Sequence, residues 1–227
     1  MDGDGRATVL ELAPAAPAEE LERLKGEVGL PLPRELRATL ELTMGIEGSA
    51  LESIDFTGRT LDVEVRELFP AGLPVAADGY GNFWVLDLTP DEPEAAPVFF
   101  VCHDAPVVLY QAPSLGRFLH ETFRMSIPPH ASLVDDVHDD RLFRVWRENP
   151  GATARSDALS ADDDLRVFAE QLDDRFQIVD LRSHEIGMGF SWGRYGPRTD
   201  VRRHGFLRLF AYAPPERKPG LVRRIFG

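Results

Sequence analysis

Hydrophobic and polar positions change period along this chain, and each change marks an element. From Ala18 to Gly29 the apolar residues Leu21, Leu24 and Val28 recur at spacings of three and four, which predicts an amphipathic helix stopped by Gly29. Leu30-Pro31-Leu32 leads into a second helical pattern. Pro33 suits its first turn, where a missing N–H leaves nothing unpaired, and Leu36 and Leu40 face inward before Gly45 ends it. Residues 51–56 and 60–65 then alternate apolar and polar at period two, the pattern of strands in a sheet with one face in water. Phe83–Leu88, Val98–Cys102 and Val107–Gln111 read as further strands. Ser114 is placed to cap a helix over Leu115–Met125, with Leu115, Phe118, Leu119 and Phe123 on its inner side. The predicted core of this half is Leu21, Leu24, Leu36, Leu40, Trp84, Val98, Phe100, Phe118 and Leu119.

Pro128 and Pro129 end that helix and mark a linker. Beyond it, Arg141–Asn149 reads as a helix with Leu142, Val145 and Trp146 inward, and Asn149-Pro150-Gly151 as a turn. Ser160-Ala-Asp-Asp163 has capping-box spacing and opens a helix to about Leu172. Phe176–Leu181 and Phe206–Tyr212 read as strands, and Phe143, Trp146, Phe168, Phe176 and Phe206 as buried aromatics. The organisation expected is a flexible lead-in over 1–17, an α+β domain over 18–129 and a C-terminal α+β extension over 130–227.

Charge divides the chain where the pattern does. The 25 Lys and Arg and 38 Asp and Glu give a formal net charge of −13 over 227 residues. Up to Pro129 there are 9 basic and 22 acidic residues, and after it 16 of each, so all the net acidity lies in the first half. An acidic domain repels nucleic acid and anionic lipid and steers basic partners toward itself. No apolar run reaches the roughly 18 residues that cross a bilayer. The acidic start Met1-Asp-Gly-Asp-Gly5 is unlike a signal peptide, and the single Cys102 excludes an internal disulfide framework. These features predict a cytoplasmic protein.

Candidate chemistry is sparse. Asp78-Gly-Tyr-Gly-Asn82 carries two glycines, but no third glycine or lysine follows and a strand comes next, so it reads as a tight turn rather than a phosphate loop. Asp135-Asp136 and His138-Asp139-Asp140 read as a solvated acidic run; no cofactor or metal is expected. His103 and His120 read as structural. No nucleophile elbow, HExxH or Walker motif occurs. In the second half, glycines alternate with aromatics from Gly187 to Pro197. That segment is either a glycine-bent strand feeding the core or a loop presenting Trp192 and Tyr195 beside Arg194 and Arg198. His184, Trp192, Arg194, Tyr195, Arg198 and His204 are the candidate C-terminal contact or pocket residues.

Six segments of the first half occur in the order of one known family. A helix, the Leu30-Pro31-Leu32-Pro33 step and a second helix ending at Gly45 come first. Leu73-Pro74-Val75 before Asp78-Gly-Tyr-Gly-Asn82, an aromatic–aliphatic strand, a strand ending in His103-Asp104 and the helix opening Ser114-Leu-Gly-Arg-Phe-Leu119 follow. Residues 18–125 thereby resemble the SUKH family, which includes fungal cell-wall assembly regulators and bacterial toxin-immunity proteins. One departure is Met44-Gly45, where members commonly have Asn-Gly. The resemblance implies an antiparallel sheet flanked by helices, no catalytic residues and a protein partner. Together with the acidity it predicts an immunity protein that neutralises a basic, nuclease-like toxin, with Glu47, Glu52, Asp55, Asp91, Glu92 and Glu94 as candidate contacts. The alternatives are an enzyme or ligand-binding site in the second half, or a housekeeping adaptor.

Overall fold

Each of the first seven strands returns beside the one before it, building an antiparallel meander. In the computed structural model, which describes residues 9–58, 67–102, 106–183, 185–191 and 199–214, these are β1 (Glu11–Leu12), β2 (Gly45–Glu47), β3 (Ser53–Asp55), β4 (Gly72–Ala77), β5 (Phe83–Asp87), β6 (Val98–Cys102) and β7 (Val107–Ala112). Helices α1 (Ala18–Val28) and α2 (Arg34–Leu42) lie between β1 and β2. After β7 come α3 (Leu115–Met125), α4 (Leu133–Asp135), a π-helical turn over Asp136–Arg141 and α5 (Leu142–Glu148). The remainder is β8 (Ala152–Ala154), α6 (Arg155–Ala158), α7 (Asp163–Glu170), β9 (Gln177–Asp180), β10 (Gly189–Ser191), β11 (Asp200–Arg203) and β12 (Leu209–Ala213). The sheets have orders β1-β2-β3-β4-β5-β6-β7-β10 and β11-β12-β9-β8, with every pairing antiparallel. The α+β class expected from the sequence is what the chain adopts. The alternating segment over residues 60–65 lies outside the described residues.

The central strands are apolar throughout because both of their faces are covered. In β6, Val98, Phe100 and Cys102 join the core under the helices, while Phe99 and Val101 point to the opposite face. Leu109 and Val108 in β7, and Trp84 and Val85 in β5, divide in the same way. The opposite face meets the second sheet, where Phe99, Phe69 and Tyr110 pack with Val179, Phe210 and Tyr212. A third core, including Phe168, Phe176 and Ile178, fills the space between the second sheet and α6–α7. The layers therefore run helix, sheet, sheet, helix, and the one wet face expected of the first sheet is covered at its centre.

Helix ends are fastened by side chains and loops from elsewhere. Gly29 closes α1 with φ +75°. The backbone N–H groups of Arg34 and Glu35 at the start of α2 donate to the Pro93 and Glu94 carbonyls at 2.8 and 2.9 Å. The Glu35 carboxylate accepts from Leu115 and Gly116 N–H at 3.0 and 2.8 Å, and Ser114 Oγ accepts from Arg117 N–H, so α3 receives two caps. All of the predicted first-half core is in the cluster, with Leu21 and Leu119 at its margin.

Several details of the second half differ from expectation. The chain passes Pro129–His130 without leaving the first core, since Val134, Val137, Leu142 and Val145 are part of it. Gln111 ties this segment down: it accepts from Trp84 Nε1 at 3.1 Å and donates to the Leu133 carbonyl at 3.1 Å. Trp146 and Phe143 are exposed rather than buried, because the inward line of α5 is Leu142 and Val145 and the next residue round is rotated by about 100°. Asp162, not Ser160, caps α7, accepting from Asp164 and Leu165 N–H at 3.1 Å each. Phe206 sits half exposed in the turn before β12 instead of opening that strand. β10 joins the first sheet beside β7; its Gly189 lies so close that a Cβ there would stand 1.8 Å from the Val108 carbonyl oxygen.

A buried charge network joins the two sheets. Arg203 donates from Nη1 and Nη2 to the two oxygens of Asp87 at 2.8 and 3.0 Å, with side-chain exposures of 1% and 0%. Arg203 also donates to the carbonyls of Leu68, Phe206 and Leu207 and packs against the Phe69 and Phe210 rings. Arg208 adds a bond to Asp87 at 2.9 Å and a pair of bonds to Glu92.

Candidate protein-binding surface

The Asp78–Asn82 turn is built by one carboxylate. Asp78 Oδ1 accepts from the N–H groups of Tyr80 and Asn82 at 2.8 and 3.2 Å, and Oδ2 accepts from Asn82 Nδ2 at 2.6 Å. Gly79 and Gly81 take φ +79° and +87°, where a side chain would be strained. Burial pushes the Asp78 carboxyl up, but the Asn82 amide, the two backbone N–H groups and His138 outweigh it and hold the group below its ordinary value. His138 reaches in from the π-helical turn, its Nε2 3.2 Å from Asp78 Oδ2, with its ring against Phe100 and Trp84. The turn therefore fastens β4–β5 to the segment that follows α3, and Tyr80 stands at its tip, 81% exposed.

Glu52 connects this turn to a groove. Its carboxylate covers Gly79, where a Cβ would lie 1.8 Å from Oε2. The groove, about 560 Å³, is lined by Glu47, Glu52 and Asp55 together with Met44, Ile46 and Ile54. Asp55 is engaged, accepting from Thr57 N–H and Oγ1 at 2.8 and 2.6 Å. Glu47 is exposed at the end of β2. Three of the six acidic candidates thus share one groove.

The other three belong to a different place. Glu94 pairs with Arg34 at 2.7 Å beside the start of α2, Glu92 is committed to Arg208, and Asp91, just before it, is exposed. Burial lowers the Arg208 guanidinium, but Glu92 and Asp87 more than restore it and hold it fully charged. Glu92 therefore serves the junction between the sheets rather than offering a free carboxylate.

Of the C-terminal candidates, His204 stacks on Phe168 of α7, with ring centroids 5.0 Å apart, and its backbone closes the β11–β12 turn. His184, Trp192, Arg194, Tyr195 and Arg198 lie outside the described residues, as does His103. His120 is exposed and bonded to Glu121. Among the described residues no group of three or more His, Cys, Asp or Glu is placed to hold a metal ion, and no helix is long and apolar enough to cross a membrane.

Sequence reasoning missed Tyr80 as a surface feature, although an aromatic between two turn glycines has no strand face to bury it. It also missed the pairing of Asp87 with Arg203, which local pattern cannot reveal.

A helix-flanked antiparallel meander with an acidic groove beside a carboxylate-built turn defines an α+β domain. Residues 15–121 match the family described as SMI1 / KNR4 (SUKH-1), and this part of the chain is a SUKH-family domain. The match ends inside α3, before the segment that completes the first core. No curated protein and no solved structure matches the chain.

Proposed function

We propose that the protein is a non-catalytic binding module of the immunity or regulatory kind, acting in the cytoplasm on a basic protein partner. One observation carries the reading: within the family-matched segment, Glu47, Glu52 and Asp55 line one groove, and the Glu52 carboxylate covers Gly79 beside the exposed Tyr80. Carboxylates around an aromatic suit arginine and lysine, through charge at range and ring contact when docked. A nuclease-like toxin has such a surface, because it must hold phosphates. The net charge of −13 would speed the encounter.

The test is co-expression with the product of the adjacent reading frame, scored by growth rescue and by association kinetics of the purified pair. Glu47→Lys and Glu52→Lys together should slow association by about tenfold or more at low salt, and added salt should slow the wild type likewise. Tyr80→Ala should act mainly on dissociation. Association that ignores both salt and the two reversals would remove the groove from the reading, and catalytic turnover that accounts for the rescue would remove the module itself.

A further inference from the structure

Among the described residues, β1 forms the outer edge of the eight-stranded sheet. It pairs with β2 through Glu11 opposite Glu47 and Leu12 opposite Ile46, and the Ala13 N–H extends the ladder to the Gly45 carbonyl at 3.0 Å. Successive residues of an antiparallel strand turn their backbone groups to opposite sides. Ala13 and Glu11 therefore direct theirs to β2, and Leu10 and Leu12 present theirs outward. Protein edges of this kind are ordinarily blunted by lysine, proline or a covering loop. Here the neighbouring side chains are apolar and in water, with Val9, Leu10 and Leu12 exposed by 69%, 43% and 64%.

Charge at this edge is unbalanced as well. Glu11 and Glu47 stand directly opposite each other and both are exposed. Like charges so placed destabilise a strand pair, and among the described residues neither has a cation beside it. The groove that holds Glu47 is also lined by Glu52.

We propose that this edge receives an extended segment of a partner protein as an added strand, one in which lysine or arginine alternates with aliphatic residues. Main-chain bonds to Leu10 and Leu12 supply affinity, and the alternation supplies selectivity. Aliphatic side chains cover Leu10 and Leu12 while the basic ones relieve Glu11 and Glu47. A second copy of this chain is the wrong occupant, because pairing two β1 strands would gather Glu11 and Glu47 of both chains about one axis. The inference rests on the protein-binding reading but adds a site that reading does not require.

The experiment uses the full chain and a labelled nine-residue peptide of alternating lysine and valine. Amide exchange at Leu10 and Leu12 is followed by nuclear magnetic resonance, and affinity by fluorescence anisotropy. Both amides should exchange fast in the free protein and slow by about tenfold or more on saturation, since an added strand protects them. Peptide N-methylated at alternate residues should lose binding, a glutamate-for-lysine peptide should not bind, and Glu11→Gln with Glu47→Gln should weaken binding at low salt. Three results would overturn the edge site: both amides already protected in the free protein, no peptide binding at millimolar concentration, or binding that leaves them unprotected. The last would point to the groove alone and leave the proposed function standing. Partner association that ignores Glu52→Lys and Tyr80→Ala, with the peptide result intact, would do the reverse.

Discussion

Replacing Asp87 by asparagine keeps the shape of the side chain and removes its charge, so it asks what the buried network contributes. In the folded protein Asp87 is fully buried and accepts two bonds from Arg203 and one from Arg208. Asp87→Asn leaves Arg203, with 1% of its side chain exposed, as a buried cation facing three carbonyls and two rings. Breaking one side of a buried pair costs about 3–5 kcal/mol, because the surviving charge keeps its desolvation penalty. Arg208 softens the loss by retaining Glu92, which places the expectation near the lower end. A 227-residue chain loses about 2–4 °C of Tm per kcal/mol, so a fall of roughly 6–15 °C is expected. Urea denaturation followed at two probes, tryptophan fluorescence and far-ultraviolet circular dichroism, gives the free energy. The double variant Asp87→Leu with Arg203→Met should recover much of the loss, since removing both charges removes the penalty. A single variant within about 1 kcal/mol of the wild type, or a double variant worse than the single, would refute the argument.

Phe118→Ala should cost about 3–5 kcal/mol by urea midpoint, because the ring is fully buried against Trp84, whereas Phe143→Ala on the exposed face of α5 should stay within about 0.5 kcal/mol. Gly79→Ala should destabilise by more than about 1 kcal/mol, since it combines a φ of +79° with displacement of Glu52, and the same assay reads it. Glu121 governs part of the acid response. Burial pushes its carboxyl up, yet the Leu133 N–H, His120, Arg117 and Arg124 together hold it below its ordinary value. A depressed carboxyl contributes stability above the unfolded value of about 4.3 and loses it as pH falls through the folded value. Glu121→Gln should therefore be less stable near pH 7 and show a shallower loss below about pH 5 by thermal denaturation, and an unchanged acid slope would remove Glu121 from the account.

What local chemistry decides was readable from the residues. The α3 cap at Ser114, the Gly29 stop and the two positive-φ glycines of the Asp78–Asn82 turn depend on neighbours a few positions away, and each occurs as expected. The burial of Leu142 and Val145 was legible from helical spacing, but whether a flanking aromatic turns inward depends on the surface the helix meets, and neither Phe143 nor Trp146 does. For β10 two readings stood open, a glycine-bent strand or a presenting loop, because three residues beginning with a glycine have no length over which a period can show; Gly189–Ser191 is a strand, with Phe190 in the core. Its place is fixed by a close approach to Val108 from far along the chain. The acidic candidates show the same limit. Charge marked Glu92 as readily as Glu47, and only the fold reveals that Arg208 has claimed one of them.

The seating of β10 against β7 sets a condition on how the protein is made. When the ribosome has released residues 15–121, β7 has its hydrogen-bonding edge open, and the Phe99, Val101, Val108 and Tyr110 face lacks the second sheet. Those groups are covered only after residues 177–213 have emerged and folded back. The family-matched segment, cut out at its own boundaries, would present an open strand edge and a bare aromatic face. Such a fragment should associate with itself at concentrations where the full chain remains dispersed.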